Sequence, residues 1–190
     1  AARTGHLVRS ALHTNSAPES ITRLLESGID PFNYSDSLLG ILAQRLVRRL
    51  CLQCRVPHAL DAGALADRAD QYLASGRADG RQRDALVARW RRQYATARGD
   101  VLLHRHHGCK ACDGTGYHGR MGLHELMLAD DRVRELVRHR APAAELQAAG
   151  LASGMVTLRQ DGIEKALAGL TDMAEVLAAS NAGRCCAGRP

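Results

Sequence analysis

The sequence predicts a mixed α/β fold, and three observations carry the prediction. Short apolar runs with strand character, at residues 6–12 and 122–128, alternate with segments whose apolar residues recur at helical spacing. From Asp130 onward, capping residues and glycines divide the chain into short helices. Two C-x2-C pairs, Cys51-Leu-Gln-Cys54 and Cys109-Lys-Ala-Cys112, interrupt the alternation and mark an inserted subdomain. The 190 residues, 45% of them hydrophobic, suffice for one full domain or a domain with a small satellite. Aromatics at 3% leave the core to Leu, Val, Ile and Ala and exclude a stacking platform for single-stranded nucleic acid.

Taken in order, His6 to Leu12 carries β-compatible apolar residues. Ser16 followed by Glu19 is a capping-box pattern, and Pro18 suits a first turn, so a helix is expected from about Ala17. Its inward face is Ile21, Leu24 and Leu25, and Gly28 stops it before the Ile-Asp-Pro break at 29–31. Between Ser35 and Leu50, seven large apolar residues surround most of a helical wheel, which predicts a largely buried helix. Residues 59–100 are rich in Ala and Arg. There Leu86, Trp90 and Tyr94 fall at i, i+4 and i+8, while Leu65, Tyr72 and Leu73 offer an opposing stripe, so a small helix pair is expected. A strand follows at Gly122–Leu128. Beyond it Asp130 is an N-cap, and Pro142, Gly150, Gly154 and Gly169 punctuate. Thr157 with Gln160 and Thr171 with Asp172 start further helices, packed through Leu158, Ile163, Leu167, Leu170, Met173, Val176 and Leu177. The tail from Asn181 to Pro190 is expected to fray.

Charge and hydropathy exclude two classes. The longest apolar stretch, Leu38 to Val47, is broken by Gly40, Gln44 and Arg45 and falls short of the roughly 20 residues of a membrane span. The first residues carry neither an initiator Met nor a signal-peptide pattern, so the chain is read as a cytoplasmic polypeptide cut from a longer one. The net charge of +6 is almost wholly Arg, with Lys only at Lys110 and Lys165. It reads as a solvated surface, not a phosphate-binding one, and no nucleic-acid partner is expected.

The cysteine pairs carry the chemistry. A C-x2-C pair can form one knuckle presenting two thiolates, and two knuckles complete a closed four-cysteine zinc site through Cys51, Cys54, Cys109 and Cys112. Cys54 and Cys109 are separated by residues 55–108. Closing that loop costs about 3.6 kcal/mol plus a constant, against roughly 10–16 kcal/mol from a structural zinc. A redox dithiol and unrelated free thiols are the alternatives. His58, His104, His106 and His107 are possible substitutes as ligands, but four thiolates already fill the shell. The apolar-poor insert is expected to need a metal staple. Cys185-Cys186 is too cramped to make a knuckle.

Several segments together resemble one family. Thr4-Gly-His-Leu-Val8, Leu12-His-Thr-Asn15, Gly28-Ile-Asp-Pro31, the run Ser37 to Cys51, Gly114-Thr-Gly-Tyr-His-Gly-Arg-Met-Gly122 and Met155 to Gly162 are similar to the C-terminal half of the type II secretion and type IV pilus assembly ATPases. The resemblance covers residues 1–180. It implies the C-terminal portion of a RecA-like P-loop ATPase core over 1–50, with a histidine box. A four-cysteine zinc subdomain follows over 51–118, then a return strand and helical C-terminal subdomain over 119–180 and a flexible tail over 181–190. His6 and His13 would then lie near the nucleotide γ-phosphate, and Arg45 and Arg48 at nucleotide-linked or subunit contacts. It further implies a homo-hexamer using ATP and Mg2+, cytoplasmic and peripheral to the bacterial inner membrane, with the zinc subdomain facing inner-membrane platform proteins.

The departures matter equally. The 190 residues contain no G-x4-G-K-[ST] loop and no acidic segment of the kind that holds Mg2+. The family is an ATPase, but this chain alone is expected to be inactive. The alternative is a free-standing zinc-binding protein-interaction module, because Cys109-Lys-Ala-Cys112-Asp-Gly-Thr-Gly116 matches the C-x-x-C-x-G-x-G unit of the Hsp40 chaperones, of which there is only one here.

Overall fold

The structure is a computed structural model and describes residues 4–73 and 79–181. Cys185, Cys186 and all but Asn181 of the frayed tail expected over 181–190 lie outside the described residues; Asn181 ends the last helix. Thirteen elements follow in chain order: helices α1 (Ala17–Glu26) and α2 (Pro31–Ser37), strands β1 (Gly40–Leu50) and β2 (Val56–Ala59), helices α3 (Ala62–Leu73) and α4 (Gly80–Tyr94), strand β3 (Leu102–Arg105), a single 3-10 turn (Lys110–Cys112), strand β4 (Tyr117–Leu128), and helices α5 (Asp131–Arg138), α6 (Ala143–Ala152), α7 (Leu158–Leu167) and α8 (Met173–Asn181). β1 pairs with β4 and β2 with β3. Hydrogen bonds from Ala129 N–H to the Leu39 carbonyl and from Cys51 N–H to the Gly116 carbonyl clamp opposite ends of the first pair, which makes it antiparallel. β2 and β3 are antiparallel, with Val56 opposite Arg105 and Ala59 opposite Leu102.

The chain divides into two compact units, Ala1–Gln44 with His124–Thr157, and Arg45–Leu123 with Leu158–Pro190. In the first, α1 begins where the sequence places it. The Ser16 hydroxyl accepts from Glu19 N–H at 3.3 Å, and Pro18 occupies the first turn. Ala17 N–H, another orphan donor of that terminus, is met at 2.8 Å by Oε1 of the buried Glu125. Ile21 and Leu25 pack with Met127, Val133, Leu136, Val137 and Leu146 in one apolar core. Asp130 caps α5 through Val133 N–H at 2.8 Å.

The second unit holds the insert. α3 and α4 form the expected helix pair, with Trp90 fully buried and its ring edge-on to Tyr72 at 5.5 Å. Their apolar faces share a core with Leu103 of β3, with Ile163, Ala166 and Leu167 of α7, and with Val176 of α8. The insert is therefore packed by apolar burial against α7 and α8, a support that the expectation of a metal staple did not include. Glu164 of α7 joins them, accepting from Trp90 Nε1 at 3.0 Å and Tyr94 Oη at 2.6 Å and pairing with Arg89.

Four local expectations are corrected. Residues 40–50 form strand β1, not the second half of a helix, because pairing with β4 supplies their hydrogen bonds; the buried Ala43, Val47 and Leu50 are spaced as on a helix, and that spacing misleads. The Ile-Asp-Pro break is a helix start: Asp30 accepts from Asn33 N–H at 2.8 Å, and Pro31 opens α2. Residues 6–12 form no strand and are exposed, having no partner strand among the described residues. Gly150 sits inside α6, where a Cβ would lie 3.1 Å from Met155 Sδ and 3.3 Å from Met127 Sδ, so it is an interior helix residue beside two methionines and not a terminator.

Candidate metal centre

β1 ends by delivering Cys51 to the start of a turn. Cys54 and Arg55 N–H both donate to the Cys51 carbonyl, at 3.3 and 3.0 Å. The second loop repeats the device, with Cys112 and Gly114 N–H donating to the Cys109 carbonyl at 3.2 and 2.9 Å. Backbone N–H groups then point at sulfur. Gly108 donates to Cys54 Sγ at 3.3 Å, and Cys109 and Gly116 donate to Cys112 Sγ at 3.2 Å each. Glycine at 116 is obligatory, since its φ is +77° and a Cβ would lie 2.7 Å from His106 Cβ and 2.9 Å from His107 N.

The four sulfurs converge. Cys51–Cys109, Cys54–Cys112 and Cys109–Cys112 Sγ distances are 3.9, 3.8 and 3.7 Å, and all four atoms lie within 4.8 Å of one another. Four sulfurs at about 2.3 Å from a common centre stand about 3.8 Å apart on the edges of a tetrahedron, whereas a disulfide needs about 2.0 Å. The donor set thus fits one tetrahedral, thiophilic cation and no disulfide. Its electrostatics agree: burial, with neighbouring thiols adding to it, pushes the Cys54 thiol up to about 11. Burial also opposes ionisation of Cys112, but the N–H groups of Cys109 and Gly116 outweigh it and hold that thiol at about 6. Crowded thiolates of this kind ionise together only around a positive charge. A cation held by four sulfurs would keep no open position for water, the arrangement of structural rather than catalytic sites.

A polar network stands behind the knuckles, and sequence reasoning missed it. Tyr117, the first residue of β4, donates to Asp172 Oδ2 at 2.6 Å, and His106 Nδ1 lies 2.9 Å from the same oxygen and 2.8 Å from Tyr117 Oη. The rings of His106 and Tyr117 stack at 4.9 Å. The Arg48 guanidinium lies over the Tyr117 ring, 4.0 Å from its centre, and pairs with Glu175 through Nε at 3.0 Å and Nη2 at 2.6 Å. Burial works against the charge on Asp172, yet Tyr117, Glu175 N–H and His106 hold its carboxyl below the usual range. Burial likewise pushes the Tyr117 phenol up, reinforced by Asp172. The only local signal was Asp172 as the cap of α8, which it is, accepting from Glu175 N–H at 3.0 Å.

Of the residues singled out from sequence, the structure brings the four cysteines together. Arg48 belongs to the network just described, and Arg45 is half-buried on the same strand. His6 and His13 are exposed in the first unit. Thr4 Oγ1 lies 3.1 Å from His6 Nδ1, and the His13 carbonyl accepts from Arg23 at 2.5 Å. His58 and His104 stay apart from the sulfur cluster, each with a buried Nδ1 lacking a hydrogen-bond partner. No described helix is long and apolar enough to cross a membrane.

Fold and site together define a mixed α/β chain in which four cysteines cluster closely enough to hold a metal ion. Residues 1–178 match the family described as type II/IV secretion system protein. The chain is similar to a type IV pilus assembly ATPase of Thermus thermophilus, 40% identical over 94% of this chain and 17% of that protein. It is also similar to a type II secretion system protein E of Dickeya dadantii, 42% identical over 93% of this chain and 30% of that protein, and to a type II secretion system ATPase E of Vibrio cholerae, 38% identical over 93% and 30%. The chain belongs to the type II/IV secretion system protein family, and it spans less than a third of the length of these relatives.

Proposed function

We propose that this chain is the C-terminal part of a cytoplasmic, hexameric ATPase that powers type II protein secretion or type IV pilus assembly. The observation that carries the reading is its 38–42% identity, over 93% or more of its length, to relatives described as a pilus assembly ATPase and secretion system proteins. In this reading residues 1–50 complete a RecA-like core, residues 51–118 form the metal subdomain, and residues 119–180 form a helical region. His6 and His13 approach the nucleotide γ-phosphate in the assembled enzyme. Arg45 serves a subunit or nucleotide-linked contact, and Arg48 shares that role beside its ion pair with Glu175. Cys51, Cys54, Cys109 and Cys112 hold zinc, which supplies a rigid cross-link and no reactivity. The subdomain faces the inner-membrane platform of the machine, and the assembly is peripheral to that membrane.

Phosphoryl transfer depends on a phosphate cradle and Mg2+ ligands, and the 190 residues contain no G-x4-G-K-[ST] loop. ATP and Mg2+ therefore bind in the longer protein, and this chain alone does not hydrolyse ATP. The test joins the chain to the P-loop-bearing remainder of a relative and measures ATP turnover, with and without His13→Ala. Turnover by the joined protein, reduced by His13→Ala with the melting midpoint unchanged, supports the reading. Absence of turnover in the joined, folded protein moves the chain to a free-standing zinc-binding interaction module.

A further inference from the structure

The surface around the knuckles has a charge pattern that the staple does not require. Residues 45–55 carry Arg45, Arg48, Arg49 and Arg55 and no carboxylate, and residues 105–120 carry Arg105, Lys110 and Arg120 against Asp113. Seven cations against one carboxylate equals the +6 of the whole chain, so the remaining charges cancel. Glu175 takes Arg48. Arg49, Arg105, Lys110 and Arg120 are exposed and make no ion pair among the described residues. A divalent ion on four thiolates contributes −2 and offsets only part of this excess.

A half-open hollow of about 210 Å³ lies against the first knuckle, lined by Arg49, Leu50, Leu52, Gln53, Ala111 and His118 beside Cys51. Ala111 contributes an exposed apolar wall beside the buried Leu50, and Leu52, in the first knuckle, is 59% exposed. The volume falls below the roughly 300–1,000 Å³ of small-molecule and cofactor sites. It suits a single apolar side chain of a partner, with arginine and histidine at the rim to meet flanking carboxylates. A flat anionic bilayer would meet the same charges but would leave the cavity without an occupant.

We infer that the knuckle face is a docking site for an acidic peptide segment carrying one apolar anchor, with the anchor seated against Leu52 and Ala111 and its flanking carboxylates on Arg49 and His118. This deepens the platform-docking reading given above by stating what the partner must present.

The test titrates the metal-loaded chain with a fluorescein-labelled octapeptide of glutamates around a central leucine, read by anisotropy, with zinc content and melting midpoint measured on the same samples. Saturable binding is expected. It should weaken about tenfold or more when the leucine is replaced by serine, and likewise in Arg49→Glu and Leu52→Ser, with zinc per chain unchanged. Equal affinity for the serine peptide, indifference to both substitutions, or capture on phosphatidylglycerol vesicles with no peptide binding would each overturn the inference. Retained zinc in those outcomes leaves the metal centre standing, and the turnover test above stands apart from all of them.

Discussion

Replacing Cys109 with serine tests the staple at its centre. Cys109 Sγ is 3.9 Å from Cys51, 3.7 Å from Cys112 and within 4.8 Å of Cys54, so one substitution opens three edges of the tetrahedron and frees the long chord between positions 51 and 109. A cross-link across those 58 positions removes unfolded-chain entropy worth about 4 kcal/mol at 25 °C. The variant should lose at least that amount, although α3 and α4 retain their core with Ile163, Leu167 and Val176. For a chain of this size that is a fall of about 8–16 °C in melting midpoint. Trp90, the only tryptophan, reports unfolding of the insert by fluorescence, and a pyridylazoresorcinol assay counts zinc released. Chelation of the unsubstituted chain should reproduce the shift. An unchanged midpoint in both the variant and the chelated chain would refute the argument, because it would mean that the knuckles hold their geometry without a cation.

Three further outcomes follow from the packing and the network. Gly162→Ala places a Cβ 2.5 Å from Cγ1 of the stiff Val176 and should cost about 1–3 kcal/mol in urea unfolding, whereas Gly150→Ala meets only flexible methionine ends and should be close to neutral. Glu164→Ala leaves the buried Trp90 Nε1–H and the Tyr94 hydroxyl unpaired and should destabilise by about 1–3 kcal/mol, read by the same unfolding curves. Asp172 has a folded pKa below its unfolded value of about 3.9, so its contribution is complete above about pH 4 and disappears as pH falls through the folded value. Asp172→Asn should flatten that acid limb of a stability–pH profile measured by urea titration, with little change in slope near neutrality.

The parts legible in the sequence are those fixed by local chemistry. Ser16, Asp130 and Asp172 announce helix starts through the donors they can satisfy, and each C-x2-C pair announces a knuckle. Trp90 and Tyr72 declare their helix pair by spacing alone. Strand β1 was illegible for a physical reason. Ala43, Val47 and Leu50 satisfy a helical period, and the decision rests with β4, far along the chain. The same distance hid the polar network, since His106 and Asp172 are 66 positions apart and neither belongs to a motif. It also hid the sharing of the insert's core with α7 and α8.

That sharing sets a timetable for synthesis. Trp90 finds its acceptor on Glu164 only 74 positions later, and the Tyr72 carbonyl waits 88 positions for Gln160. At about 5–20 residues per second on the ribosome, the apolar face of α4 is exposed for roughly 4–15 s before α7 emerges to cover it. A nascent chain interrupted before residue 158 would keep the α3–α4 contact but lack Ile163, Ala166, Leu167 and Val176, the side chains that complete that core.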